Sequence, residues 1–331
     1  MKRTIAIVAG GDSSEHDVSL RSAQGIYSFI DKEKYNCYII ELSGLCWEAV
    51  MPDGSRHTVD RNDFSFQTPE GTVKPDFAYI TIHGTPGENG ILQGYFDLIK
   101  MPYSTSGVLV EALTFNKFTL NNYLKSWGIK VAESILVRKN QADSIDENEI
   151  INRLGLPCFV KPNDDGSSFG VSKVKTAEEL RPAINKAFDE DNEVIIESFL
   201  SGTEITCGCY KTRTGSHVFP ITEVVTSQEF FDYDAKYNGK VDEITPARIA
   251  PATAERVSRL TSTIYDILGC HGIIRIDYIL SGEKGNETIN LLEVNTTPGM
   301  TATSFIPQQI RAAGLEPGDV LSEIIEDAFG K

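Results

Sequence analysis

Charged and amide side chains recur at strand spacing in two stretches, IIRIDYIL (residues 273–280) and NLLEVNTTPGM (residues 290–300). Side chains alternate faces along a strand, so Arg275 and Asp277 share one face, and Glu293 and Asn295 share another. A tight hairpin would bring all four to one side. The oxygen donors Asp277, Glu293 and Asn295, with no His or Cys, suit a hard cation such as Mg²⁺ that shares its shell with phosphate oxygens. A solvated outer hairpin face would carry similar residues. Here, however, the carboxylates flank very apolar runs, and a glycine-containing loop, Thr296–Gly299, follows at once.

A second signal is Lys161 at the end of the strand-like run CFVKP, followed by DDGSSFG (164–170). Gly166 and Gly170 permit close backbone approach to an anion, Ser167 and Ser168 add donors, and the lysine supplies a point charge for phosphate. A glycine-serine turn is also common without a ligand. Neither the P-loop pattern nor G-x-G-x-x-G occurs in the chain, so any nucleotide requires another scaffold, and a dinucleotide-binding oxidoreductase is disfavoured.

The elements that would position these residues alternate at first. TIAIVA (4–9) reads as a buried strand, and Val18, Ala23, Ile26, Tyr27 and Ile30 recur at helical spacing after it. Tyr35–Leu42 and Phe77–His83 read as strands. A helix over Gly90–Leu98 opens after the loop HGTPGENG (83–90). This pattern predicts an open α/β domain over residues 1–105. Residues 106–200 read as an α+β unit: a helix at Asn116–Trp127, strands at 134–137, 158–162 and 193–198, and a helix at Ala177–Asp189. Residues 201–331 carry strands at 204–211, 218–225, 273–280 and 288–295. They also hold a helix from Pro251 to Leu268 and terminal helices after Pro307 and Pro317, where proline suits a first turn. Between them lies a polar stretch, 226–249, long enough to be a lid or binding loop.

The 331 residues carry 31 Lys and Arg against 47 Asp and Glu, a net charge of −16. That balance argues against nucleic acid or an anionic membrane as partner. No run reaches the ~18 apolar residues of a membrane helix. The N-terminal apolar run stops at Gly10-Gly11, too short for a signal peptide, so a cytoplasmic location is expected. The six cysteines are scattered. Cys207 and Cys209, two apart, are expected to be reduced thiols on one face of a buried strand.

A resemblance narrows the function. EHDVS (15–19), HGTPGENG, the lysine of FNKF (115–118), FVKPNDDGSSFGVSKV (159–174), ESFLSGTE (197–204), FDYDAKY (231–237) and RID…EVNTTPGM occur in one order over residues 15–305. Together they resemble the D-alanine–D-alanine ligases, ATP-grasp enzymes with a Rossmann-like N-terminal domain. The resemblance implies ATP, Mg²⁺ or Mn²⁺ as two ions per site, D-alanine as substrate, and a homodimer. Lys117 and Lys161 would neutralise the ATP phosphates. Glu197 and the Leu200 backbone would read adenine beside Phe199, Glu204 would bind ribose, and Phe230 belongs to the same set. Asp277, Glu293 and Asn295 would hold the metal. Arg275 and the Gly299 amide would stabilise charge on the substrate carbonyl. Glu15 would meet the first ammonium, Ser304 the second carboxylate, and His83 and Phe305 would border the substrate. Lys236 would reach the transferring phosphate, and Tyr237 would meet Ser167 and Glu15. Asp164-Asp165, Ser198 and Phe305 depart from the residues common in the family. A sister ligase making D-alanyl-D-lactate or D-alanyl-D-serine, or an ATP-binding sensor, remains an alternative.

Overall fold

The computed structural model describes residues 2–164, 170–226 and 241–330. Its first sheet contains β1 (Arg3–Gly10), β2 (Tyr35–Ser43), β3 (Cys46–Val50), β4 (Arg56–Asp60), β5 (Ser65–Thr68), β6 (Gly71–Val73) and β7 (Phe77–Ile80), in the order β6-β5-β4-β3-β2-β1-β7. β1 is parallel to both β2 and β7. Its residues Ile5–Ala9 are 0% exposed, as a parallel strand covered on both faces requires. On one face Ile5, Ile7 and Ala9 meet Ala23 and Ile26 of α1 (His16–Phe29). On the other, Ala6 and Val8 meet Leu92 and Phe96 of α2 (Ile91–Ile99). The open α/β reading of this region holds, with one addition. β3–β6 form an antiparallel extension of three- to five-residue strands. β7 also ends at Ile80, short of the expected His83.

The second sheet, β10-β9-β11-β8, is antiparallel throughout: β8 (Ser134–Arg138), β9 (Cys158–Pro162), β10 (Ser172–Val174) and β11 (Glu193–Ser198). α5 (Glu147–Leu154) and α6 (Ala177–Ala187) pack on the face bearing Cys158, Val160, Val194 and Ile196. Alternation sends Lys161 and Glu197 to the other face.

The third sheet contains β12 (Thr203–Thr212), β13 (Gly215–Val218), β14 (Thr222–Thr226), β15 (Val241–Ile244), β16 (Ile274–Ser281) and β17 (Thr288–Asn295). The single strand expected over 218–225 is two. Pro220 falls between β13 and β14 and has no N–H for the ladder. α7 (Pro251–Leu268), with α3 (Val108–Phe115) and α4 (Lys117–Ser126), packs against Cys207, Cys209, Ile274 and Ile276. All six cysteines are free thiols, and Cys207 and Cys209 are buried together as expected. α8 (Phe305–Ala312) holds Pro307 inside its first turn, and α9 begins at Pro317 and runs to Phe329. Both pack into the core of the first sheet, beside Ile5, Tyr35 and Phe77.

The stretch read as a lid over 226–249 is narrower in the structure. β15 pairs with β14. The Ala247 amide donates to Ile221 O at 2.8 Å, and Arg248 bonds Glu223 through Nε and Nη2 at 2.9 and 2.8 Å. Residues 241–249 are therefore sheet and its anchor. The lid expectation is left with 227–240, outside the described residues. No helix among the described residues is long and apolar enough to cross a membrane.

Candidate active site

The β16–β17 register places Arg275 opposite Asn295 and Asp277 opposite Glu293. Directly opposed residues share a face, so the hairpin expectation holds. Arg275 donates from Nε and Nη2 to both Asp277 oxygens, at 2.9 and 2.8 Å, and lies 4.0 Å from Glu293. Asn295 Nδ2 is 3.1 Å from Asp277 and 3.4 Å from Glu293. Thr206, opposite Asp277 on β12, donates a further hydrogen bond to it. Burial opposes the charge on Asp277, but the Arg275 guanidinium and then Thr206 hold its carboxyl below the usual range. Glu204, two residues from Thr206 and so on the same face, is pushed up to about 8 by burial and then by the Asp277 and Glu293 charges. The donor set of two carboxylates and an amide fits a hard divalent cation. Among the described residues, no cluster of three or more His, Cys, Asp or Glu offers a rival site.

The second sheet contributes Lys161, ion-paired with Glu197. Asn121 Nδ2, one turn along α4 from Lys117, donates to Glu197 at 2.8 Å. α4 is set by the Asn116 cap on the Thr119 amide, and the Lys117 and Phe118 amides donate to Asn163, just after β9. Phe199, beyond β11, stands 6.0 Å from Phe159 with the Lys173 ammonium 4.4 Å over its ring. Leu200 follows it.

The turn after β17 completes the site. A Cβ at Gly299 would lie 3.0 Å from Ser304 Oγ, and Ser304 is the N-cap of α8. Phe305 lies under the Arg275 guanidinium, 5.3 Å away. The Met300 amide donates to Ser22 Oγ at 3.3 Å, and Ser22 meets His83 Nε2 at 3.2 Å. Ser13 donates to His83 O at 2.7 Å and accepts from the Glu15 amide at 3.2 Å. Glu15 and His83 therefore converge with Met300 across the N-terminal domain. Ser167, Phe230, Lys236 and Tyr237 lie outside the described residues.

Sequence reasoning missed Thr206, Asn121 and Ser22. The first two carried a signal: Thr206 shares alternation with Glu204, and Asn121 lies four residues after Lys117 on one helix face. Ser22 has none beyond its place on α1.

Two antiparallel sheets, one holding a buried lysine and the other an arginine–carboxylate–amide face, define this protein as a ligase of the ATP-grasp class. A family model described as D-ala D-ala ligase N-terminus matches residues 4–106, and one described as D-ala D-ala ligase C-terminus matches residues 123–326. The chain belongs to the D-alanine–D-alanine ligase family. It is 68% identical over 330 residues to the D-alanine–D-alanine ligase of Phocaeicola vulgatus, covering 99% of this chain and 100% of that one. Its fold matches D-alanyl-alanine synthetase A of Vibrio cholerae with a TM-score of 0.87 at 26% identity, over 100% of this chain and 99% of that one. The VanG D-Ala:D-Ser ligase of Enterococcus faecalis superposes with a TM-score of 0.86 at 30% identity, over 99% and 100% of the two chains.

Proposed function

We propose that this chain joins two D-alanine molecules into D-alanyl-D-alanine at the expense of ATP, as a step in building peptidoglycan precursors. The observation that carries the reading is the opposed register of Arg275 with Asn295 and of Asp277 with Glu293, beside the Gly299–Ser304 turn. Lys117 and Lys161 bind the phosphates; Glu197, Phe199, Leu200 and Phe230 take adenine, and Glu204 the ribose. Asp277, Glu293 and Asn295 hold Mg²⁺ or Mn²⁺, as two ions. When bound, the metal neutralises phosphate oxygens during transfer.

Glu15 pairs with the ammonium of the first D-alanine, beside His83. A carboxylate oxygen of that D-alanine attacks the γ-phosphorus, the bond to the bridging oxygen breaks, and ADP leaves. Lys236 steadies the transferring group. Ser304, at the N-terminus of α8, binds the second carboxylate beside Phe305, where backbone N–H groups favour an anion. The second amine attacks the acyl carbon, inorganic phosphate leaves, and the nitrogen loses a proton. Arg275 and the Gly299 amide stabilise the oxyanion between these events. The family resemblance assigns Tyr237, with Ser167 and Glu15, to closing the site, because an acyl phosphate must be kept from water.

The same reading makes the enzyme a cytoplasmic homodimer with no nucleic-acid or membrane partner, in keeping with a net charge of −16. The test is ADP release with D-alanine, D-serine, D-lactate and L-alanine in turn, with the product identified by mass. D-alanyl-D-alanine should dominate. Release with D-lactate or D-serine exceeding that with D-alanine alone would point to a sister ligase, and no release at all to an ATP-binding sensor.

A further inference from the structure

Glu111 is a carboxylic acid that none of these roles uses. α3 carries it inward to 0% exposure, beside the end of β17. One of its oxygens accepts from the Thr296 hydroxyl. The other, Oε1, is buried with no hydrogen-bond partner among the described residues. Leaving a buried oxygen unpaired is costly, and an apolar residue on this apolar helix would avoid that cost. Thr296 directly follows Asn295, and Gly299 lies three residues further on. On the opposite side, Gln93 Nε2 donates to Gly87 O at 2.6 Å and to Thr105 Oγ1 at 3.0 Å. Buried hydrogen bonds therefore link the 83–90 loop through Gln93 to Thr105, and Glu111 to the turn that leaves β17.

We propose that Glu111 is a positioning residue for ligation, holding Thr296 and with it the turn that sets Asn295 and Gly299. This rests on the ligase reading above. Burial, with the Glu88 charge adding to it, pushes the Glu111 carboxyl well above the glutamate range against the pull of Thr296. The group therefore acts uncharged, and glutamine is its near-isostere.

The experiment measures kcat and KM for dipeptide formation by the full chain with Mg²⁺, ATP and D-alanine, alongside melting temperatures. Absence of dipeptide from the unsubstituted chain overturns the ligase reading and this proposal together. The variants, read as ratios to it, speak to Glu111 alone. Glu111→Leu and Thr296→Val should each lower kcat about tenfold or more, the scale of lost support behind a ligand, with KM for ATP little changed. Glu111→Gln should restore kcat to within about threefold, and the Leu/Val double variant should cost no more than either single change. If Glu111→Leu does not fold, Thr296→Val and Glu111→Gln still carry the test. Unchanged kcat with only a lowered melting temperature overturns the proposal. So does a glutamine variant as impaired as leucine, or additive losses in the double variant.

Discussion

Lys161 and Glu197 are ion-paired across neighbouring strands, on the face of the second sheet that looks away from its own core. Their side chains are only 15% and 6% exposed. Burial alone would lower the lysine pKa, but Glu197, then Glu293 and Glu204, more than offset it and hold the ammonium charged. Removing one partner of a buried pair strands the other. Glu197→Ala should cost about 3 kcal/mol, whereas Lys161→Met with Glu197→Leu should recover most of it. Urea unfolding of the three proteins checks this. A double variant no more stable than Glu197→Ala refutes it.

Gly25 sits inside α1, where alanine would ordinarily add about 0.5–1 kcal/mol of stability. A Cβ there would lie 2.2 Å from Met300 O, one residue beyond Gly299. Gly25→Ala should therefore destabilise by about 1–3 kcal/mol, as overpacking does, and raise KM for D-alanine by displacing the turn. A higher melting temperature with unaltered kinetics would show that α1 does not press on this turn.

The β16–β17 face was legible because alternation is a backbone property, and Asp277 and Glu293 stand among apolar neighbours that fix which way they point. The β3–β6 extension was not. Its strands are three to five residues long and bury at most two residues each, so they leave no apolar run to read. α3 was hidden for a different reason: VLVEALTF is apolar even where it meets solvent, with Leu109 79% exposed, so no polar stripe marks a helix. Its one charge, Glu111, points inward, and periodicity cannot show that. The lid boundary failed at its C-terminal end, since polar residues such as Asp242, Glu243 and Arg248 can line an edge strand as well as a loop.

The anchoring of 241–249 has its own test. Amides of Ala247 and Arg248 are committed to Ile221 O and Glu223. Hydrogen exchange here should be slow without ligands and should change little when ATP and D-alanine are added. Exchange at the rate of an unstructured peptide in the free protein would return these residues to the lid.

Glu293 is more exposed than Asp277 and, among the described residues, has no two-point partner to hold it. Glu293→Gln keeps its shape and removes the charge a divalent cation needs. Turnover should be lost with the circular dichroism spectrum intact, and Mg²⁺ binding measured by calorimetry should weaken. Near-normal turnover at saturating Mg²⁺ would falsify the assignment.

Arg275 separates a ligase from a mere ATP binder. The residue is 7% exposed, and its guanidinium makes two hydrogen bonds to Asp277 and is seated on the Phe305 ring. These contacts fix the plane of the fork, and Phe305 leads into the α8 turn where the second D-alanine is proposed to bind. Losing an oxyanion donor costs about 3–4 kcal/mol, on the order of a 100- to 1,000-fold drop in rate. Alanine would also strand the Asp277 carboxylate and disturb the metal face, so it confounds two effects. Lysine keeps the positive charge beside Asp277 but loses the planar two-point geometry, so it isolates the positioning. Arg275→Lys should bind ATP with Mg²⁺ nearly as the unsubstituted protein does, because Lys117, Lys161 and the carboxylates are untouched. Dipeptide formation should still fall at least about 100-fold at saturating substrates. Calorimetry of ATP binding and a coupled ADP assay give the two numbers. Should ATP binding collapse while the rate at saturating ATP stays within a few-fold of normal, Arg275 is a nucleotide ligand and the oxyanion role is wrong.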